Sequence, residues 1–285
     1  MSNRKDAAIS SGTWVTALEE ANYLASPPLA SMVELSIALS RPLLLEGPAG
    51  VGKTALAEAI AKVLGRDLVR LQCYEGLDAD KALYDWNYHK QLAELSKQSD
   101  ADLFSEPYIL QRPLLRALQS EQGAVLLIDE VDRSDEAFEA FLLEYLADYQ
   151  ITIPEWQTIR AIVPPVTILT SNRTRPLSDA LRRRCLYHPV GWPDETSERR
   201  IVELHTPQLQ NDVDARLVAA VRKMRSWGLV KSPGVSETID WAKAFLVGNN
   251  QWNLEWIERT LGCVIKDNID MDVVRGRLHE LLTET

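Results

Sequence analysis

One short stretch constrains the fold of this chain more than any other. Residues 47–54 read Gly-Pro-Ala-Gly-Val-Gly-Lys-Thr and fit the pattern G-x-x-x-x-G-K-[S/T] at every fixed position. An apolar run at 43–45 precedes the stretch, and an alanine-rich helical pattern at 55–64 follows it. A strand, a glycine-rich loop and a helix in this order surround a polyphosphate with backbone N–H groups. The sequence therefore predicts a nucleotide phosphate site and disfavours a mere glycine turn followed by a surface lysine.

The chemistry of this loop explains its composition. Glycines let the backbone turn with its N–H groups pointing inward, and the helix that follows adds the positive end of its dipole. Lys53 is predicted to reach the β- and γ-phosphates, and the Thr54 hydroxyl to ligate Mg²⁺. The predicted nucleotide-binding residues are Gly47, Pro48, Ala49, Gly50, Val51, Gly52, Lys53, Thr54 and Asp129.

A second motif predicts two carboxylates at the edge of a sheet. The fully apolar run at 124–128 ends in Asp129 and Glu130, and ligands of open α/β sheets bind at the carboxyl ends of the strands. Asp129 is predicted to hold Mg²⁺ through a water molecule, and Glu130 to orient and deprotonate an attacking water. A structural acidic turn is the alternative, and it is disfavoured because the pair follows the phosphate loop.

Two further motifs leave alternatives open. A strand pattern at 166–169 leads to Asn172, which could hydrogen-bond a γ-phosphate or a water, and is equally a common turn residue. The helical pattern at 177–184 ends in three arginines, Arg182, Arg183 and Arg184. They fit favourable charge at a helix C-terminus, or an arginine that acts on a neighbouring subunit's triphosphate.

The order of elements predicts the fold class. Strands alternate with helices as far as residue 192, which indicates an α/β fold with a parallel sheet covered on both faces. Beyond it, four or five helical patterns follow without a strand pattern. We expect an α/β nucleotide-binding domain at 1–192 and a small all-helical domain at 193–285.

Three segments of the first domain carry their own predictions. Residues 13–40 read as two helices that break at Ser26-Pro27-Pro28, because proline cannot continue a helix. The segment 74–98 is predicted to be mostly helical with exposed aromatic side chains, and 99–111 to be a loop. The segment 151–163 is predicted to form a hairpin.

Composition excludes several classes. The net charge of −10 argues against a dedicated nucleic-acid surface. The three cysteines lie far apart without a C-x-x-C motif, which predicts reduced cytoplasmic thiols and neither a disulfide framework nor a zinc site. No apolar run approaches the roughly 18 residues of a membrane helix, and residues 1–11 lack the apolar core of a secretion signal. We expect a cytoplasmic protein without membrane insertion.

These motifs, in this order, resemble those of the AAA+ ATPases, and more closely those of the MoxR branch. The closer resemblance rests on the stretch Asn22-Tyr23-Leu24-Ala25-Ser26, on Ile128-Asp129-Glu130-Val131-Asp132-Arg133 and on the 151–163 hairpin. Trp192-Pro193-Asp194, and the stretch K-S-P-G-V-S-E-T-I-D-W at 231–241, resemble the subset associated with maturation of molybdenum-containing carbon monoxide dehydrogenases.

The resemblance implies a role for each motif. Lys53 and Thr54 correspond to Walker A, Asp129 and Glu130 to Walker B, and Asn172 to sensor 1. Arg184, or alternatively Arg183, corresponds to an arginine supplied to the neighbouring subunit's γ-phosphate, so that the site residues acting in catalysis are Lys53, Glu130, Asn172, Arg183 and Arg184.

The resemblance also implies an assembly and partners. MoxR-type relatives form hexameric rings that use ATP and Mg²⁺ and work with a von Willebrand factor A-domain protein on a metalloenzyme client. The segment 74–98 matches the place of a helix 2 insert that faces the ring pore or the client, which would account for its aromatic side chains; packing of these side chains against residues 99–120 is the alternative explanation. One departure concerns the lid domain: relatives have Ser-Pro-Arg where this chain has Ser232-Pro233-Gly234, so the sensor 2 arginine is missing, with Lys231 as a candidate substitute.

The sequence thus predicts ATP hydrolysis coupled to remodelling or maturation of a client protein. A nucleotide-dependent oligomeric scaffold with little turnover is the alternative, and the missing arginine leaves it open. A DNA-handling AAA+ protein is disfavoured by the acidic charge balance, and a GTPase by the absence of an Asn-Lys-x-Asp motif.

Overall fold

The computed structural model describes residues 11–96, 102–154 and 156–282. The contacts between these residues divide the chain into two compact units. The first unit contains the chain up to Ala21, Ala25–Gly47 and Lys53–Pro189, and the second contains Asn22–Leu24, Pro48–Gly52 and the chain from Val190 onward. The prediction that the N-terminal stretch lacks a secretion signal concerns residues 1–11, of which all but the last lie outside the described residues.

The described part of the first unit contains a parallel five-stranded sheet and two antiparallel two-stranded sheets. The strands are β1 (Leu43–Glu46), β2 (Leu68–Gln72), β3 (Tyr84–Trp86), β4 (Ile109–Gln111), β5 (Val125–Asp129), β6 (Gln150–Thr152), β7 (Thr158–Arg160), β8 (Val166–Ser171) and β9 (Leu186–Pro189). The order in the sheet is β2-β5-β8-β1-β9.

Helices of the first unit flank this sheet, and the second unit is helical in its described part from Val190 onward. The helices of the first unit are α1 (Ser11–Glu20), α2 (Pro27–Ala38), α3 (Lys53–Leu64), α4 (Ala79–Leu83), α5 (Tyr88–Leu95), α6 (Pro113–Leu118), α7 (Glu136–Asp148) and α8 (Asp179–Arg184). Those of the second unit are α9 (Glu195–His205), α10 (Asn211–Ser226), α11 (Val235–Val247), α12 (Leu254–Val264), α13 (Asn268–Gly276) and α14 (His279–Leu282).

The three inner strands explain why the sequence folds into this sheet. Every residue of β1, β5 and β8 is buried, which is the pattern of a parallel sheet covered on both faces. Their apolar side chains form the core together with residues of α6, α7 and α8. The predicted fold class, a parallel α/β sheet between helices followed by a helical region, is confirmed.

The sheet edges differ from the inner strands. In β2 the buried Val69 and Leu71 alternate with the exposed Arg70 and Gln72, as expected for a strand with one solvated face. The other edge strand, β9, was not predicted, because Tyr187, His188 and Pro189 do not form an apolar run.

Of the two small antiparallel sheets, one confirms a prediction and the other corrects one. The predicted hairpin forms between β6 and β7, with Ile151 opposite Ile159. The prediction that 74–98 is mostly helical is wrong at β3, which pairs with β4 inside the predicted loop at 99–111. This pairing joins segments distant in sequence, so local periodicity gives no signal for it. Residues 97–101 lie outside the described part.

The two N-terminal helices confirm the predicted break. The Ser26 side chain accepts a hydrogen bond from the backbone of Leu29 and caps α2, whose first residue is Pro27. In the second unit, Trp241 and Phe245 of α11 lie fully buried among residues of α10, α12 and α13. None of the helices in the described residues has the length and hydropathy needed to span a bilayer.

Candidate nucleotide-binding site

The loop residue predicted to bind phosphates lies inside the first unit. Lys53 begins α3 and is only 6% exposed. Its ammonium group donates to the carbonyl oxygen of Gly47 and to the side-chain oxygen of Asn172, each at 2.8 Å. Burial lowers the pKa of Lys53, while the carboxylates of Asp129, Asp132 and Glu130 act in the opposite direction. The cation is therefore held in a polar pocket surrounded by acidic groups.

Asp129 lies at the carboxyl end of β5 and is buried. Its Oδ1 accepts hydrogen bonds from the Thr54 hydroxyl at 3.2 Å and from the Thr170 hydroxyl at 2.5 Å. Thr170 is in β8, the next strand of the sheet, and its hydroxyl also accepts the backbone N–H of Glu130 at 2.9 Å. A single hydroxyl thus contacts the carboxylate of Asp129 and the backbone of Glu130, a role the sequence analysis missed.

Glu130 has a left-handed backbone, with φ of 54° and ψ of 49°. A non-glycine residue adopts this conformation rarely, and such residues concentrate at functional sites. The Glu130 carboxylate accepts hydrogen bonds from the side-chain amides of Gln72 at 3.0 Å and Asn172 at 3.2 Å, and from Arg133 at 3.1 Å. These donors fix the orientation of the group predicted to activate water.

Asn172 joins the two halves of this cluster, because its amide accepts from Lys53 and donates to Glu130. Asp132 holds the turn that contains Asn172: its carboxylate accepts the backbone N–H of Asn172 at 3.1 Å and that of Thr174 at 2.8 Å. Burial raises the pKa of Asp132, but the hydrogen bonds from Thr174 and Asn172 outweigh burial, so the pKa lies below its ordinary value. The predicted residues Lys53, Thr54, Asp129, Glu130 and Asn172 are therefore brought together.

Two residues of β2 complete the cluster and were missed by the sequence analysis. Arg70 donates to Oδ2 of Asp129 at 2.5 Å and to the side-chain oxygen of Gln72 at 2.8 Å. The register of the sheet places Gln72 opposite Asp129. The alternation of polar and apolar residues in Arg70-Leu71-Gln72 is typical of an edge strand and was the available signal.

A buried carboxylate at the end of β1 forms a second charged group. Glu46 accepts from both Arg182, at 2.8 Å and 2.9 Å, and the Tyr187 hydroxyl, at 2.9 Å. Burial raises the pKa of Glu46, but these hydrogen bonds and the nearby Arg173 outweigh it and leave the pKa lowered. This ion pair anchors α8 to the strand that precedes the phosphate loop.

Hydrogen bonds tie Arg184, the first choice for an arginine acting in trans, to its own subunit. Its guanidinium donates to the carbonyl oxygens of Leu146 and Ala147 at the end of α7. Arg41 in turn donates to the carbonyl oxygens of Arg183, at 2.8 Å, and Arg184, at 3.1 Å. These bonds do not run to Lys53, Asp129 or Glu130, so the structure does not bring α8 into the cluster.

Arg183, the alternative, has an exposed side chain. It lines a cavity of about 470 Å³ together with three other arginines, Arg41, Arg160 and Arg184. Asp148 also lines this cavity, but the four arginines outnumber it and give the cavity a net positive charge, which attracts anions.

The second unit contains the middle of the phosphate loop, Pro48–Gly52, in which Gly50 and Gly52 have φ of 75° and 91°. Gly50 accepts the backbone N–H of Val235 at 2.8 Å. A Cβ added to Gly234 would lie 2.8 Å from the Gly50 Cα and 2.6 Å from Oε2 of Glu237. This packing gives a physical reason for a glycine at the position where the sequence resemblance led us to expect an arginine. The ammonium group of Lys231, the candidate substitute, lies 3.9 Å from the Asp267 carboxylate.

A family comparison supports this geometry. The model of the AAA domain (dynein-related subfamily) matches residues 42–185. The chain belongs to this family. The match covers the strands β1, β5 and β8 and thus the Lys53–Asn172 cluster of this AAA domain.

Two relatives in sequence are themselves described as uncharacterized proteins. A protein of Staphylococcus aureus is 25% identical over 172 residues, which cover 58% of this chain and 61% of that protein. A protein of Staphylococcus saprophyticus is 22% identical over 240 residues, which cover 81% of this chain and 86% of that protein. The AAA chain therefore spans about three fifths of the length of the first relative.

Among solved structures, two RuvB variants from Thermotoga maritima share the fold. One aligns with a TM-score of 0.51 and 19% identity, covering 96% of this chain and 79% of its own. The other aligns with a TM-score of 0.50 and 18% identity, covering 98% and 80%. At this identity the likeness concerns the fold alone.

AAA domains bind nucleotides and commonly Mg²⁺, and the donor set of this chain fits both. Mg²⁺ prefers oxygen ligands, and the Thr54 hydroxyl and the Asp129 carboxylate present oxygens 3.2 Å apart. The buried ammonium of Lys53 offers positive charge next to them. Among the described residues there is no cluster of three or more His, Cys, Asp or Glu side chains that could hold a metal ion by itself, so these two oxygens fit a metal that the nucleotide helps to bind.

Proposed function

We propose that this AAA domain hydrolyses ATP to ADP and phosphate, and that an oligomer of the chain uses the energy to remodel a client protein. The observation that carries the proposal is the Asn172 amide, which links the phosphate-binding ammonium of Lys53 to the carboxylate of Glu130. A scaffold that only binds nucleotide does not require a carboxylate held by three donors beside the phosphate site.

Each residue of the cluster then has a task. The Gly47–Thr54 loop and the Lys53 ammonium hold the β- and γ-phosphates, and Oε1 or Oε2 of Glu130 accepts the proton of the attacking water. Asn172 orients the γ-phosphate or the water without adding charge. Thr54 and Asp129 would hold Mg²⁺, which supplies charge neutralisation at the phosphate oxygens when bound.

The family and the arginines of α8 together support an oligomer. AAA relatives assemble, often as rings, and we propose a homo-oligomeric, hexameric ring in which α8 of one subunit meets the nucleotide of the next. Because hydrogen bonds hold Arg184 on α7 while Arg183 is exposed, we assign the residue acting in trans to Arg183. Such an arginine accounts for about 10³ to 10⁵ in rate.

The finer assignment rests on the sequence. The segments Asn22–Ser26, Trp192–Asp194 and 231–241 resemble the MoxR branch and support a metalloenzyme client and a von Willebrand factor A-domain partner in the cytoplasm. We propose that residues 1–192 form the nucleotide-binding domain and 193–285 the helical lid. The segment 74–98, with the exposed Tyr88, Leu92 and Leu95, would contact the client.

The alternative, a nucleotide-dependent scaffold with little turnover, is favoured by Gly234 in place of the sensor 2 arginine. A Glu130→Gln variant distinguishes the two, because glutamine keeps the shape of the side chain but is a far weaker base. For an ATPase we expect phosphate release to fall by about 10² or more, with ATP affinity and oligomerisation retained.

An exposed carboxylate, Glu258→Gln in α12, is the matched control and should leave turnover unchanged. If Glu130→Gln and the wild-type chain release phosphate at the same low rate, the scaffold is correct and hydrolysis is not the function.

A further inference from the structure

Arg70 lies in direct contact with the aspartate that would hold the metal ion. Its guanidinium donates to Oδ2 of Asp129 at 2.5 Å, while Asp129 is buried and the Arg70 side chain is about half exposed, at 52%.

The remaining oxygen of Asp129 is also in use. Oδ1 accepts from the hydroxyls of Thr170, at 2.5 Å, and Thr54, at 3.2 Å. Oδ2 lies 3.4 Å from the Thr54 hydroxyl as well, so Arg70 occupies the oxygen through which Asp129, together with Thr54, could accept a further cation. A guanidinium on a carboxylate forms a charge-assisted hydrogen bond, among the strongest that proteins make.

Arg70 is also linked to the water-activating group. It donates to the side-chain oxygen of Gln72 at 2.8 Å, and the amide nitrogen of Gln72 donates to Glu130 at 3.0 Å. Because Arg70 and Gln72 are two residues apart on β2, they project from the same face of the strand. One arginine thus contacts the metal-binding aspartate and holds the residue that orients Glu130.

We propose that Arg70 is a resident counter-cation that competes with Mg²⁺ for Asp129, so that the metal is admitted only together with the triphosphate. In the nucleotide-free protein Arg70 neutralises Asp129, and a divalent cation would have to break its hydrogen bond and approach a positive charge. The negative charge of the triphosphate lowers both costs. This inference rests on the proposed nucleotide function and adds Arg70 as a positioning residue at the same site.

The test is a titration of the nucleotide-free full chain with Mn²⁺ alone, followed by electron paramagnetic resonance of the unbound ion. We expect Arg70→Gln to bind Mn²⁺ at least about tenfold more tightly than the wild-type chain, because a charge-assisted hydrogen bond no longer has to be broken. A merely structural role of Arg70 would not raise the affinity. Arg275→Gln, an exposed position in α13, makes the same change in net charge and should leave the affinity unchanged.

Two further variants sharpen the result. Adding Asp129→Asn to Arg70→Gln should abolish the gain, which would locate the ion at Asp129. Arg70→Lys keeps the charge but cannot contact Asp129 and Gln72 with one planar group. Its Mn²⁺ affinity should lie between that of the wild-type chain and that of Arg70→Gln. It also serves if Arg70→Gln does not fold.

The outcomes separate this inference from the proposed function. Equal Mn²⁺ affinities for the wild-type chain and both Arg70 variants, or a gain that persists with Asp129→Asn, would overturn the role of Arg70. Binding of a fluorescent ATP analogue with Mg²⁺ tests the nucleotide site in the same samples, and its absence from the wild-type chain would overturn the proposed function instead.

Discussion

The carboxylate of Asp132 accepts a hydrogen bond from the backbone N–H of Asn172 at 3.1 Å. This bond connects the turn after β5 to the end of β8, and the hydroxyl of Thr174 adds a further donor at 2.7 Å. The position of the Asn172 amide between Lys53 and Glu130 therefore depends on a carboxylate that touches neither of them.

This relationship predicts a pH dependence. The pKa of Asp132 is lowered in the folded chain relative to an ordinary value of about 3.9. A lowered pKa contributes stability that is complete above the unfolded value and is lost as the pH falls through the folded value. We expect Asp132→Asn to cost about 1–3 kcal/mol at pH 6, because a buried acceptor is replaced by an amide facing donors.

The difference in unfolding free energy between the wild-type chain and Asp132→Asn should shrink as the pH falls from about 6 to 3, because protonation of Asp132 removes the advantage of the carboxylate. Urea unfolding followed by circular dichroism measures it at each pH. The exposed Asp272→Asn is the control and should show little difference at any pH. A difference in unfolding free energy that stays constant across this pH range would contradict the role of the Asp132 carboxylate as the acceptor that holds this turn.

The two candidate arginines of α8 should behave differently. Arg184→Ala removes the donors to Leu146 and Ala147, and we expect a loss of about 1–2 kcal/mol in unfolding free energy. Arg183→Ala should leave the melting temperature unchanged and lower the ATPase rate on the order of 10³-fold, with ATP affinity retained.

Mixing Arg183→Ala with Glu130→Gln subunits tests whether the arginine acts between subunits, because one variant supplies the carboxylate and the other the guanidinium. Partial recovery of phosphate release is expected. The opposite result would be an Arg184→Ala variant that loses turnover but keeps its melting temperature, together with an active Arg183→Ala variant. That result would establish Arg184 as the arginine that acts in trans.

The close approach at Gly234 gives a stability prediction within the second unit. In Gly234→Ala the new methyl group would overlap Glu237 and the Gly50 Cα, at 2.6 Å and 2.8 Å. We expect a loss of about 1–3 kcal/mol, typical of overpacking, seen as a lower melting temperature in calorimetry. Gly191→Ala is the matched control, because its added Cβ meets nothing within 4 Å. Equal melting temperatures for both variants would show that the approach is not close in solution.

The parts of the fold that the sequence predicted are those with a dense local signal. The residues of β1, β5 and β8 are all buried and most of them are apolar, and the phosphate loop has a fixed sequence pattern. Strand β9 was missed because an edge strand needs no apolar run, and β3 because its partner lies beyond the α5 helix. In both cases tertiary pairing, rather than local composition, decides the structure.

The residues of the site likewise fall into those with a local sequence signal and those placed by tertiary pairing. Lys53, Thr54, Asp129, Glu130 and Asn172 stand at fixed places in motifs, so their convergence could be anticipated from parallel strands that end at one edge. Arg70, Gln72 and Thr170 belong to no motif, and their contacts depend on the register between strands, such as Gln72 opposite Asp129. Register follows from the packing of whole strands and is not encoded in any short stretch.

Strand β2 is an edge strand, paired on one side with β5. The segment that would contact a client begins immediately after it, at Tyr74, and only Cys73 separates this segment from Gln72. We therefore expect a force applied to this segment to be transmitted along the backbone to Gln72. The displacement of Gln72 would weaken its hydrogen bond to the Glu130 carboxylate. Client binding would then adjust the hydrolysis rate, and slower or faster amide hydrogen exchange at Leu71 and Gln72 on client binding would reveal this mechanical link, while unchanged exchange would exclude it.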